Sequence, residues 1–179
     1  MKKICFVFGL VCAVLPGVFA NDLKDPGFEN GSPAWKNSFV KSNAAFDSAV
    51  FKSGKKSLCF NRKKATAFCG YSQEVKYDLP SNEAIIFGGF AKAENIVLEK
   101  NKKHDFSFYL DIYYADGTAT WAQRIKLPAG TWDWKRFEKT FYPDKPVTKI
   151  RFYVFLRDNA FGKVWFDELF LSRAANQDE

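Results

Sequence analysis

Two acids stand near opposite ends of a strand-rich chain, each among apolar neighbours. Glu29 lies in Asp25-Pro26-Gly27-Phe28-Glu29-Asn30-Gly31, a Pro–Gly turn that carries one large aromatic. Asp167 interrupts Lys163-Val164-Trp165-Phe166-Asp167-Glu168-Leu169-Phe170-Leu171, an aromatic strand. A β-sandwich that pairs its first and last strands brings both carboxylates into one corner. There they need a cation or hydrogen-bond donors to offset the loss of water. A second set of side chains suits sugar. Pyranose C–H groups stack on aromatic faces, and sugar hydroxyls need planar polar partners. Alternation along Asp105–Tyr114 puts Tyr109, Asp111 and Tyr113 in a row on one face, opposite Phe106, Phe108, Leu110 and Ile112. The neighbouring strand Thr118–Lys126 offers Trp121 and Gln123, and Trp35 and Trp132 lie in loops that could wall a groove. Core packing competes for every one of these aromatics. Trp134, Trp165 and Phe166 are assigned to the core.

Catalytic chemistry finds little to work with. The single histidine, His104, follows Lys102-Lys103 at the start of a strand and reads as surface decoration. Glycoside hydrolysis needs only two suitably spaced carboxylates, and Asp111 and Glu138 are the available pair. Both read more simply as solvent-facing strand acids. The sequence holds no Gly-rich phosphate loop and no His/Cys metal cluster. Enzymatic activity is therefore not expected.

The elements that must position these groups are strands. Short runs recur between Gly, Pro, Asn and Asp turns, among them Ala84–Ala93, Trp134–Phe141, Lys163–Ser172 and Lys149–Arg157. The last of these alternates Ile150, Phe152, Val154 and Leu156 against Arg151, Tyr153, Phe155 and Arg157. Twenty Phe, seven Tyr and five Trp make 18% of the chain aromatic, which favours strands. A helix of a turn or two is expected only near Asn95–Asn101. Leu58–Asn61 and Ala67–Tyr77 read as a hairpin about Asn61-Arg62-Lys63-Lys64-Ala65-Thr66. Cys59 and Cys69 lie symmetrically about that turn, so a cross-strand disulfide is expected. The pattern is that of an all-β, antiparallel sandwich.

The first twenty residues read as an export signal. Lys2 and Lys3 precede an apolar stretch from Ile4 to Leu15, and Val18-Phe19-Ala20 suits cleavage before Asn21. Removing 20 of 179 residues leaves 159, enough for one core, and lowers the formal charge from +7 to +5. The expected layout is signal peptide 1–20, one sandwich over 21–173 and a disordered tail over 174–179. A secreted protein, periplasmic or extracellular, is expected in an oxidising compartment. Nucleic acid, membrane and self-association are not expected as partners.

Four stretches together resemble the CenC-type carbohydrate-binding modules. Asp25–Glu29 is similar to that family's "NPGFE" opening and Phe166-Asp167-Glu168-Leu169 to its "FDD(V/L)" ending. Ser53-Gly54-Lys55-Lys56-Ser57-Leu58 resembles "G-K-x-S-L", and Gly130-Thr131-Trp132-Asp133-Trp134-Lys135-Arg136-Phe137 resembles "G-T-x-D-W-x-x-F". The likeness covers roughly residues 22–173, with Asp25 in place of Asn and Glu168 in place of Asp. It implies a jelly-roll fold of the galactose-binding type and non-catalytic binding of a polysaccharide. It also implies a structural calcium near the first and last strands, with side chains from Glu29 and Asp167 and carbonyls near Lys52 and Lys55. Without an ion, Glu29 would cap a turn and Asp167 would pair with a lysine. The competing functions are a structural or adhesive module whose aromatic face binds protein and, ranked below it, a small polysaccharide-active enzyme on the same jelly-roll fold.

Overall fold

The computed structural model describes residues 20–31, 33–37, 44–64, 69–99, 106–157 and 160–174. Among these, ten strands succeed one another. The first five are β1 (Lys36–Asn37), β2 (Ala44–Asp47), β3 (Ser57–Arg62), β4 (Cys69–Ser81) and β5 (Ala84–Leu98). The rest are β6 (Phe106–Tyr114), β7 (Ala119–Lys126), β8 (Gly130–Phe141), β9 (Val147–Leu156) and β10 (Ala160–Ala174). All pairings are antiparallel. They make a first sheet ordered β1-β4-β9-β6-β7 and a second ordered β2-β3-β10-β5-β8. The result is a jelly-roll sandwich, as the strand pattern and the resemblance led us to expect.

Period-two alternation builds the core between the sheets. From the first sheet come Phe106, Phe108, Leu110 and Ile112 of β6 and Ile150, Phe152, Val154 and Leu156 of β9, all fully buried. Leu58, Phe60, Ile85, Phe87, Val164 and Phe166 answer them from the second. The rings meet edge to face, as Phe108 and Phe166 do at 5.4 Å and 81°. Each such buried side chain contributes about 1.5–3 kcal/mol. The start of the described chain is tied to β10. The Asp22 N–H donates to the Leu171 carbonyl at 2.7 Å, and Asn21 bonds both Leu169 and Leu171.

Several expectations are corrected. β3 and β4 are not a hairpin but belong to opposite sheets, β3 beside β2 and β10, β4 beside β1 and β9. Cys59 faces Trp165 and Ala45 in register, Cys69 faces Leu156, and Cys59 is a buried free thiol. A turn-rich stretch between two strands looks the same whether the chain folds back or crosses to the other sheet. No helix forms at residues 95–98, because β5 runs through to Leu98. Asn95 takes a left-handed φ of 52° there, and its N–H bonds Thr131 Oγ1. Trp165 is buried but points away from the core that Val164 and Phe166 fill. Its indole N–H reaches Asp47 at 2.8 Å. Trp134 is only half-buried. Ala174, placed in the tail, pairs with Ala84 at the end of β10. Residues 1–19 and 175–179, His104 and Lys100–Lys103 lie outside the described residues.

Candidate functional site

Glu29 and Asp167 do meet, and the chain between Lys52 and Lys56 holds both. Gly54 adopts φ 65°, which turns successive backbone N–H groups inward, and a Cβ at that position would collide with the Glu29 carboxylate. Lys52 and Ser53 donate their N–H groups to Asp167 Oδ2 at 2.7 and 3.1 Å, and Glu168 donates to Oδ1 at 2.7 Å. Lys55 and Lys56 likewise donate to Glu29 at 2.9–3.1 Å. Lys52 and Lys55 therefore face the acids with N–H groups and not with carbonyl oxygens. Glu29 behaves as the turn cap of the ion-free reading, while Asp167 is met by amides where that reading had a lysine. Burial raises the Asp167 pKa above its ordinary value even so, against the pull of its three amide donors. Among the described residues no group of three or more His, Cys, Asp or Glu side chains surrounds a point that could hold a metal.

The outer face of the first sheet carries the aromatic row. Tyr109, Asp111 and Tyr113 of β6 turn away from the core and sit opposite Tyr153, Arg151 and Lys149 of β9. Trp121 of β7 meets Tyr113 edge to face at 5.3 Å and 86°. Tyr109 meets Phe155 at 5.2 Å and Tyr153 at 5.6 Å, and Tyr153 stacks on Phe155 at 4.7 Å. The rings pack so closely that the floor is nearly dry, with Tyr153 at 6% and Asp111 at 8% exposure, whereas Trp121 stands 57% exposed as a wall. Asp111 Oδ1 has no hydrogen-bond partner. An acceptor so buried and unsatisfied costs about 1–3 kcal/mol, and a hydroxyl could reach it only if the surrounding rings parted.

Cations frame this floor. The Arg157 guanidinium lies over Tyr109 and Phe155 at 4.9 and 4.5 Å, and Lys149 Nζ lies 4.1 Å above the Tyr113 ring. Arg151 donates to Glu74 at 2.8 Å, which lowers the Glu74 pKa and raises that of Arg151. Burial raises both Tyr109 and Tyr153, so the phenols stay protonated donors at neutral pH. Beside Tyr153 and Arg151 opens a groove of about 580 Å³, also lined by Lys36, Asn37, Ser72 and Glu74.

Tyr109, Asp111, Tyr113 and Trp121 are thus brought together, and three other expected ligand residues are not. Gln123 is turned toward the second sheet, where it accepts from Lys139 at 3.2 Å. Trp132 stacks on Phe106 at 6.5 Å and 13°, half-buried against the core. Trp35 is 4% exposed among Phe28 and Phe152, with its indole N–H on the Asp25 carbonyl. Arg151, Tyr153, Phe155 and Arg157 are additions. Glu138 lies on β8 of the second sheet, bonded to Arg136, so it forms no pair with Asp111.

Solved structures share this architecture. A family 61 carbohydrate-binding module in complex with β-1,4-galactotriose matches 87% of this chain and 99% of its own at 20% identity, TM-score 0.57. A family 16 carbohydrate-binding module matches 86% of this chain and all of its own at 17% identity, TM-score 0.63. The family 22 xylan-binding domain of Paenibacillus barcinonensis matches 89% and 99% at 16% identity, TM-score 0.57. The chain has the jelly-roll fold of these modules. In sequence, 81 residues, 45% of the chain, are 32% identical to the tRNA nuclease WapA of Bacillus subtilis strain 168. The tRNA(Glu)-specific nuclease WapA of Bacillus subtilis subsp. natto matches equally, and the chain spans 3% of either protein. No protein-family model matches the chain.

Proposed function

We propose that the chain binds a polysaccharide, without catalysis, on the outer face of the first sheet. The observation that carries this reading is the exposed Trp121 set edge to face against Tyr113, beside Tyr109, Tyr153 and the buried, unpaired acceptor Asp111 Oδ1. Aromatic faces for C–H groups and a polar partner for hydroxyls are what a pyranose needs. The bound galactotriose and the xylan-binding domain among the similar structures support it. A groove flanked by polar groups favours glycan over a protein partner. The nuclease likeness covers too little of WapA to bring catalysis here. Trp121→Ala should weaken glycan binding by about 1–3 kcal/mol, as for a truncated aromatic anchor. Its stability should change by no more than about 0.5 kcal/mol, because the ring is exposed. Intact affinity alongside lost stability would reverse the assignment.

The protein is further proposed to act outside the cytoplasm, as a monomer, with residues 1–20 removed and no membrane or nucleic-acid partner. Intact mass of exported material should begin at Asn21; retained residues 1–20 would reject cleavage there. A calcium ion at the Glu29–Asp167 corner belongs to the same reading. Both are hard oxygen donors, and three amide contacts leave each carboxylate about one of its four acceptor positions. A bound ion would offset the charge that the amides now offset alone.

A further inference from the structure

The charges of the first sheet's outer face are lopsided. Lys149, Arg151 and Arg157 come from the β9 side and Arg124 from β7, where it sits opposite Tyr109. Against these four cations stand two acids, Asp111 and Glu74. Neighbouring strands lie about 4.8 Å apart, so Asp111 has a guanidinium-bearing strand on either flank. Glu74 shows how the face treats a carboxylate. It is held by Arg151 at 2.8 Å and by Lys149 at 3.5 Å, beside the groove. The planar fork of arginine suits a carboxylate better than it suits a neutral hydroxyl.

We infer that this face selects an acidic glycan, one whose sugars carry carboxylate groups, over a neutral polymer of the same backbone. The inference rests on the carbohydrate-binding reading above and names its ligand class. Asp111, whose buried Oδ1 is unpaired, would take hydroxyl hydrogens once the rings around it part, and it repels an anion. The flanking cations do the reverse. A hexuronate satisfies both, because its ring bears hydroxyls along one edge and a carboxylate at the other. A neutral hexose satisfies only Asp111.

Matched polymers test this on the mature chain: polygalacturonate, its fully methyl-esterified form, and β-1,4-galactan. The acid form should bind about tenfold more tightly than the ester, and the advantage should shrink as salt screens it. Arg124→Gln should reduce the preference with melting temperature unchanged. Glu74→Gln, which frees Arg151 and Lys149, should enlarge it. Equal binding of acid and ester, or a preference unmoved by both variants, overturns the inference and leaves glycan binding standing. Binding to none of the three polymers overturns both.

Discussion

Asp111, Asp167 and Glu74 are three carboxylates in three settings, and their chemistry follows from what faces each. Asp111 lies on an aromatic floor with one oxygen unpaired and closed off from solvent. Asp167 is fully buried and met only by neutral amides, so its protonated form is favoured and its pKa is raised. Glu74 meets Arg151, so its pKa is lowered. The last two give opposite pH signatures by linkage. Folded Asp167 binds its proton more tightly than the unfolded chain does. The folded state therefore gains stability as pH falls from Asp167's raised value toward about 4, the ordinary carboxylate range. Glu74 does the reverse: its stabilisation is complete above the ordinary value and is lost as pH falls through its lowered one. Asp167→Asn should accordingly steepen the loss of stability on acidification, and Glu74→Gln should flatten it. Denaturant melts of the two variants across that range check the signs, and shifts in the same direction would contradict the assigned environments.

At the scale of the strand, β3 and β4 carry the sharpest prediction. Their cysteines belong to different sheets, and burial pushes the Cys59 thiol up to about 11. Titration of denatured, unreduced protein should find the Cys59 thiol free. In the folded protein it should react slowly, because little thiolate forms and little surface is offered. A Cys59–Cys69 bridge found by peptide mapping would defeat this. Alternation made β6 and β9 legible, down to the sets that face the core and the sets that face out. It cannot show that β9 lies beside β6, which is a matter of sheet order, so in the sequence Arg151, Tyr153, Phe155 and Arg157 form a row that nothing joins to Tyr109 and Asp111. Simple alternation from Trp121 puts Gln123 on the wrong face. Ala122 takes φ 65° and bulges, so Gln123 swings to the inner side while Trp121 stays with Tyr113. Trp35 and Trp132 carry no local signal that separates a groove wall from core packing. That is decided by neighbours distant in sequence, Phe152 and Phe106.

For the whole molecule, the Glu29–Asp167 corner joins the first turn, the Lys52–Lys56 loop and β10. Anything that binds there only in the folded state must raise the melting temperature by mass action. Calcium should do so against a chelator control, and Asp167→Ala should abolish the response; a melt indifferent to calcium in the parent protein would leave the amides as sole partners. β10 has a further consequence. It is the last strand in chain order and yet the middle strand of its sheet, with β3 on one side and β5 on the other. Until it is made, β2-β3 and β5-β8 are two unconnected ribbons with bare inner edges, and Trp165, Phe166 and Leu169 are missing from their places. The second sheet therefore closes in one late step, when residues 160–174 slide between two ribbons already laid down and give each its missing neighbour.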